Sequence, residues 1–337
     1  MARIAINGLG RIGRATLKIA HESAGLEPVA ANDIASSDDL AYLLRYDTVY
    51  GRYAEDVAAG GDRLRIGDTE LRIYGEKDPG SLPWSDLDVD VVFECTGVFT
   101  RPSELRKHLD AGARHAVLSA PAKRDEGEGD ELAWVVYGVN HPRGGDRMMS
   151  CASCTTNAIT PIVEVLDRRL GVAKAVMTTA HAYTSTQELV DSPSEKPRRG
   201  RAAAMNLVPT STGAAEATTK VLTEHQGRFD GVALRAPVAV GSIADVVVVA
   251  GRETSAEEVN AIFSEEAEST RYRGIVGVSD EPLVSSDIIG DPHAAVIDLG
   301  MTRVVDGDLV KVMGWYDNEW GYAAQMVRTA EHLAREI

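Results

Sequence analysis

Arg3-Ile4-Ala5-Ile6-Asn7-Gly8-Leu9-Gly10-Arg11-Ile12-Gly13-Arg14 is the stretch that decides the fold of this 337-residue chain. Residues 3–7 alternate and then meet Gly8, which reads as a first strand. Residues 12–23 have helical spacing, with Ile12, Leu17 and Ile19 on or near one face. Residues 28–32 form a second short apolar strand that ends at Asp33, 20 residues beyond Gly13. Strand, glycine-rich turn, helix, strand and a carboxylate at that distance make a βαβ unit with a dinucleotide-binding fingerprint. Gly8 permits the tight turn, Gly10 removes a side chain where pyrophosphate must approach, and Gly13 lets helix and strand pack closely. The helix N-terminus attracts the phosphate charge. Asp33 can accept hydrogen bonds from the adenosine ribose and would repel a 2′-phosphate, so NAD is expected ahead of NADP; the other role open to Asp33 is capping the turn beside Asn32.

Working outward, further strands are expected at residues 64–66, 71–74, 89–95, 115–119 and 134–138, several of them continuous apolar runs of the kind covered on both faces. A crossover helix is expected at 103–111. After Cys154 a long helix is expected at 158–170, followed by strands at 175–181, 232–236, 243–250 and 309–315 and an acidic amphipathic helix at 255–268. Few helices separate these later strands, so antiparallel pairing is expected. The expected fold class is α/β: a Rossmann-like, mainly parallel sheet domain plus an α+β catalytic domain with a largely antiparallel sheet. The boundaries are 1–153 for the dinucleotide domain, 154–318 for the catalytic domain including a polar loop at 184–205, and 319–337 for a C-terminal helix packing back on the dinucleotide domain.

The net charge of −16 disfavours a general nucleic-acid or anionic-membrane surface, because such partners would be repelled. No apolar run approaches the roughly 20 residues that cross a bilayer, and three cysteines make no disulfide framework. The expectation is a cytoplasmic enzyme. Only 8 of the 35 cationic residues are Lys. Two explanations fit equally: an acidic, Lys-poor surface that keeps a protein soluble at high salt, and a base composition that favours Arg codons.

The second motif is Ser150-Cys151-Ala152-Ser153-Cys154-Thr155-Thr156-Asn157. Cys154 stands among small polar residues where a helix starts, and a helix N-terminus lowers a thiol pKa and supplies N–H groups for an oxyanion. No second cysteine pair accompanies Cys151 and Cys154, so no metal site is expected. His181 closes a strand just before the polar loop and suits proton transfer near neutral pH, although spacing alone does not select it over the other histidines. His21, His108, His225 and His332 read as helix or surface residues.

In combination these stretches resemble the glyceraldehyde-3-phosphate dehydrogenase family, of the phosphorylating, NAD-dependent type. The resemblance is carried by residues 6–14, by Glu94-Cys95-Thr96-Gly97-Val98-Phe99, Ser119-Ala120-Pro121-Ala122 and Ala152-Ser153-Cys154-Thr155-Thr156-Asn157. It continues through His181-Ala182-Tyr183-Thr184, Pro209-Thr210-Ser211-Thr212-Gly213-Ala214-Ala215 and Trp315-Tyr316-Asp317-Asn318-Glu319-Trp320-Gly321-Tyr322. It implies that Cys154 attacks the aldehyde of glyceraldehyde 3-phosphate with His181 as its base, and that inorganic phosphate releases the resulting thioester as an acyl phosphate, a step of glycolysis and gluconeogenesis. It also implies substrate-phosphate contacts at Thr184 and Arg235, and inorganic-phosphate contacts at Ser153, Thr155, Thr212, Gly213 and Arg199. The cofactor groove would take Gly8, Gly10, Arg11, Ile12, Gly13, Asp33, Lys77, Thr96, Gly97, Phe99, Ser119, Asn318 and Tyr322. The family's S-shaped loop, here residues 184–205, meets a neighbouring subunit in a homotetramer.

The chain departs from the family pattern at Cys151, where Asn is usual, and at Ser192 before Pro193, where a small polar residue could admit NADP as a secondary cofactor. The nearest rival, erythrose-4-phosphate dehydrogenase, shares fold and nucleophile; Tyr183-Thr184 and Thr212-Gly213 favour the triose enzyme. An NAD-sensing protein of the same fold would be expected to lose Cys154, His181 or Arg235, and all three are present. The two explanations of the acidic surface part in one measurement: high-salt adaptation predicts a Tm that climbs between dilute buffer and concentrated KCl, and a flat Tm leaves codon composition.

Overall fold

The computed structural model describes residues 1–125, 132–143 and 145–336. Contacts divide them into two compact units. Of the described residues, the first comprises 1–125, 132–137, 141–143, 145–152 and 323–336, and the second 138–140 and 153–322.

The first unit opens with β1 (Ala2–Asn7), α1 (Arg11–Glu22), β2 (Leu26–Asn32), α2 (Ser37–Arg45) and a short hairpin of β3 (Tyr46–Asp47) and β4 (Gly51–Arg52). It continues with β5 (Val57–Gly60), β6 (Arg63–Ile66), β7 (Thr69–Tyr74), β8 (Val91–Glu94), α3 (Pro102–Asp110), β9 (His115–Leu118), β10 (Ala133–Trp134) and β11 (Met148–Ser150). The sheet order is β10-β11-β9-β8-β1-β2-β7-β6-β5. Pairing is parallel from β10 through β7 and antiparallel at β7-β6-β5. The strand runs are apolar because helices cover them: Ala5, Ala30, Val92, Ala116 and Leu118 join Trp84 and Leu105 in one buried cluster.

The glycine fingerprint behaves as its chemistry requires. Gly8 has φ +93°, and a Cβ there would sit 2.7 Å from the Thr96 nitrogen. A Cβ on Gly13 would lie 1.9 Å from the Gly8 carbonyl oxygen, whereas one on Gly10 would meet nothing within 4 Å. Gly8 and Gly13 therefore serve packing, and Gly10 leaves space.

In the second unit the chain forms α4 (Cys154–Leu170), β12 (Val172–Ala182), β13 (Val208–Ser211), α5 (Ala214–Val221), β14 (Phe229–Ala236), β15 (Ser242–Ala250) and α6 (Ala256–Glu268). Then come β16 (Val276–Ser279), β17 (Ala295–Asp298), β18 (Arg303–Val305), β19 (Leu309–Tyr316) and α7 (Trp320–Ala334), whose residues from 323 onward belong to the first unit. There Ser23 Oγ donates to Glu331 at 2.6 Å. The order is β13-β14-β12-β15-β19-β17-β16, with β18 beside β19.

Several expectations need correction. The second sheet is mostly antiparallel, but β12 pairs parallel with β14 and β16 with β17. α5, hidden in the small-residue run 214–221, lies in the connection from β12 to β14. The strand expected at 134–138 is only Ala133–Trp134, because Val135 and Val136 are buried outside the ladder. Cys95 lies beyond β8 rather than inside it. His108, in α3, and His225, in a short 3-10 turn, are helical as expected and are buried. The C-terminal helix was expected to reach Ile337, which lies outside the described residues.

Gly13→Ala should destabilise the protein by about 1–3 kcal/mol, the usual cost of forced overpacking. Gly10→Ala should change stability by less than about 0.5 kcal/mol. Urea denaturation of both variants checks the pair, and equal losses would contradict the division of roles.

Candidate active site

The first unit carries a cleft of about 410 Å³ at the C-terminal ends of β1, β2 and β8, where ligands bind in open α/β sheets. Gly8, Gly10, Asp33, Lys77, Thr96 and Phe99 all line it. Gly97, at φ +72°, lies in the loop between Thr96 and Phe99. Arg11, Ile12 and Gly13 open α1. Ser119 follows β9, with its N–H donated to the Glu94 carbonyl at 3.0 Å. Asp33 Oδ2 accepts the Leu9 N–H at 2.7 Å and Oδ1 accepts the Ala35 N–H at 2.9 Å. The carboxylate thus anchors the glycine turn and still has acceptor sites left for a ribose, since it offers about four. Both sequence readings of Asp33 are compatible with these bonds. Arg11 turns to Asp47, 2.5 Å away, with its guanidinium 5.4 Å from the centre of the Tyr50 ring.

A dinucleotide fits this cradle on the structure's own terms. The open space at Gly10, the start of α1 and the acceptor at Asp33 supply room, partial positive charge and a ribose partner.

The second unit carries the nucleophile. Ser153 caps α4, its Oγ accepting the Thr156 N–H at 3.1 Å; this cap fixes Cys154 as the first helical residue. Cys154 Sγ lies 3.3 Å from His181 Nε2. His181 is the penultimate residue of β12, and the parallel register sets it directly beside Arg235 of β14. Arg235 Nη1 is 2.8 Å from His181 Nδ1 and donates to the Ala182 carbonyl at 2.7 Å. The Ala182 carbonyl lies 2.7 Å from His181 Nδ1 as well.

These neighbours set the protonation chemistry. Burial, then the Arg235 guanidinium, hold His181 far below the usual imidazole range, at about 3. Burial pushes the Cys154 thiol up, while Arg235 and the N–H groups at the start of α4 pull against that rise. A guanidinium can only donate, so its approach to Nδ1 favours the tautomer with the proton on Nε2, facing sulfur. If Arg235 is drawn elsewhere, Nδ1–H can donate to Ala182 and leave Nε2 free as a base.

The remaining residues that the sequence offers to the ligands are distributed around the second unit. Thr184 Oγ1 lies 3.0 Å from Thr186 Oγ1, and Arg199 Nε donates to Thr210 Oγ1 at 3.1 Å. Thr212 Oγ1 accepts the Ala214 N–H at 3.2 Å, and Gly213 caps α5. Thr155 turns inward, its hydroxyl 3.0 Å from that of the buried Tyr316. Asn318 Oδ1 accepts from Gly241 N at 3.3 Å and Ser242 Oγ at 2.9 Å, and Tyr322 is buried. Sequence reasoning gave no role to Tyr316, which also meets Thr179 Oγ1 at 2.8 Å and stands edge-on to the His181 ring. It missed a cluster of Asp167, Glu224 and His225 with ligand-type atoms within 4.8 Å of one another. Among the described residues no helix is long and apolar enough to cross a membrane.

A dinucleotide fingerprint on a mainly parallel sheet, with a cysteine–histidine pair in a second domain, defines an NAD-linked oxidoreductase of the thiol type. The chain belongs to the glyceraldehyde-3-phosphate dehydrogenase family. The family model of the NAD binding domain matches residues 2–102 and that of the C-terminal domain residues 153–318. Glyceraldehyde-3-phosphate dehydrogenase 2 of Streptomyces avermitilis is 42% identical, with 99% of each chain covered. The Haloarcula vallismortis glyceraldehyde-3-phosphate dehydrogenase is 44% identical over 98% of each, and that of Mycobacterium bovis 45% identical over 96% of each.

Arg235→Gln removes a positive charge from both members of the reactive pair. The Cys154 thiol should then titrate at higher pH, and alkylation by iodoacetamide should need more alkaline solution to reach half its maximal rate. A midpoint that stays or falls would contradict this electrostatic role.

Proposed function

We propose that the chain oxidises D-glyceraldehyde 3-phosphate to 1,3-bisphosphoglycerate, reducing NAD and consuming inorganic phosphate, through a thioester on Cys154. The observation that carries this reading is the 3.3 Å approach of Cys154 Sγ to His181 Nε2 at the start of a capped helix. Family membership supports the rest.

Arg235 and Thr184 hold the substrate phosphate. As Arg235 turns to that anion it leaves His181 Nδ1, whose proton goes to the Ala182 carbonyl, and Nε2 takes the thiol proton. The thiolate adds to the aldehyde carbon. The N–H groups at the start of α4 stabilise the oxyanion, and His181 returns a proton to give the hemithioacetal. When bound, the nicotinamide supplies the hydride acceptor. His181 takes the hydroxyl proton as the C–H bond breaks, leaving a thioester on Cys154. Ser153, Thr212, Gly213 and Arg199 hold inorganic phosphate, whose oxygen attacks the thioester carbon and expels the thiolate. Thr155, with its hydroxyl on Tyr316, acts in this reading through its backbone and by bracing Cys154 rather than as a side-chain ligand.

The cofactor is held by the first unit, with Asp33 at the ribose. NADP is a weaker, secondary cofactor, because its 2′-phosphate would meet the Asp33 charge. A homotetramer is supported by exposed apolar residues along and just beyond the 184–205 loop, among them Leu189, Val190, Met205 and Leu207, which need covering. A cytoplasmic location is supported by free Cys95, Cys151 and Cys154 and by the need to keep the nucleophile reduced.

Wild-type protein should produce NADH from glyceraldehyde 3-phosphate only with phosphate or arsenate present, with a higher kcat/KM for NAD than for NADP and a sedimentation mass of four chains. Cys154→Ser should lose at least about 10³-fold in turnover while NAD still binds. Absence of activity at both low and multimolar salt, or near-normal turnover in the variant, would overturn the reading.

A further inference from the structure

One carboxylate in the first unit is fully buried and takes part in no step of the reaction: Glu94, the last residue of β8. A carboxyl group withdrawn from water this completely is retained only where hydrogen-bond partners surround it. Glu94 has four. Oε1 accepts from the Thr96 N–H at 2.8 Å and the Thr96 hydroxyl at 2.5 Å. Oε2 accepts from Asn7 Nδ2 at 2.5 Å and lies 3.0 Å from His108 Nε2.

Each donor leads onward. Asn7 Oδ1 accepts from Asn32 Nδ2 at 2.7 Å. Asn32 clasps the backbone of Glu76, donating to its carbonyl at 2.9 Å and accepting its N–H at 2.8 Å. On the other side, Trp84 Nε1 donates to His108 Nδ1 at 3.0 Å. An indole N–H can only donate, so Nδ1 is an acceptor and the single ring proton sits on Nε2, directed at Glu94. The chain Trp84–His108–Glu94 is therefore polarised one way, from a core tryptophan to a carboxylate that only accepts.

The outer ends of this network, Thr96, Asn7, Asn32 and Glu76, all line the 410 Å³ cleft. They sit at the ends of four different strands, β8, β1, β2 and β7, or in the segments that follow them. Glu94, His108 and Trp84 do not line it. The paired registers end at Asn7, Asn32, Tyr74 and Glu94, with single backbone bonds beyond them from Gly8 to Asn32, Cys95 to Asn7 and Asp33 to Tyr74; the side-chain network ties the same ends together from beneath the cleft.

We propose that Glu94 is a positioning residue for the dinucleotide: its side chain, oriented by His108 and Trp84, draws the strand ends into the one arrangement that binds the cofactor. The proposal rests on the NAD-dependent reading above and adds a residue that touches neither cofactor nor substrate. Ground-state binding that is equally strong before and after hydride transfer lowers KM without raising kcat, so loss of the network should appear in KM for NAD and not in kcat.

The experiment compares wild type with Glu94→Gln and His108→Leu, using calorimetric titration with NAD and with ADP-ribose, which lacks the nicotinamide, together with steady-state kinetics. Glu94→Gln sets an amide N–H₂ against the Asn7 and His108 donors and should weaken both ligands by the same factor, at least about tenfold. Kcat at saturating NAD should stay within about twofold, and KM for the triose phosphate should not change. His108→Leu removes one distal donor and should weaken both ligands about threefold or more. If Glu94→Gln does not fold, His108→Leu alone decides. Variants that fold and bind NAD like wild type overturn the proposal, as does a parallel collapse of kcat, which would mark a general structural role. Wild-type protein that folds yet binds neither ligand overturns the NAD-dependent reading itself.

Discussion

The first unit depends on one close approach, that of α1 to the end of β1, where the Gly13 position faces the Gly8 carbonyl oxygen at a distance no side chain tolerates. That approach sends the chain from strand to helix in three residues and aims the start of α1 at the cleft. Everything that recognises an anionic dinucleotide follows: the partial positive charge of the helix end, the vacant position at Gly10, and the Leu9 N–H that holds Asp33. Gly8 is pressed from its other side by the Thr96 backbone, so the turn is clamped between α1 and the loop after β8.

In the second unit the equivalent constraint is a strand pairing. β12 and β14 run parallel and in a register that puts His181 beside Arg235. A single buried imidazole is thereby shared between a thiol and a guanidinium, and its proton position answers to both. Burial first, and then this cation, keep His181 from charging, and the same cation pulls against the rise that burial imposes on the Cys154 thiol. In the proposed reaction substrate capture and nucleophile activation would thus act through one side chain. Tyr316, its hydroxyl bonded to Thr155 and Thr179, stands edge-on to the histidine ring.

Buried polar groups recur as the means of holding the cofactor side in order. Asn7, Glu94 and His108 are as inaccessible as the valines around them, yet their partners are specific in direction and number. Apolar packing tolerates sliding, whereas a carboxylate with four donors permits one arrangement and penalises the rest.

Much of this was legible in the chain alone. Three glycines and Asp33 report a backbone requirement that few other structures impose, so a local pattern sufficed for the first βαβ unit. The small polar residues before Cys154 likewise announce a helix start, because a cap and its first turn lie within a few residues. What sequence could not supply was partnership across distance. Nothing in the spacing selects His181 over the other histidines, because its reactivity comes from strands β12 and β14 meeting in parallel through a connection that contains α5. The polar residue Glu94 in an otherwise apolar strand was a readable anomaly, but Asn7 and His108 become its partners, and Trp84 that of His108, only once β1, β8 and α3 have packed. Thr155 shows the same limit: the resemblance assigns it to phosphate, and only the folded chain reveals its hydroxyl beside that of Tyr316. Local backbone chemistry is written in neighbouring residues; the direction a side chain faces, and what it meets there, is decided by how distant segments are brought together.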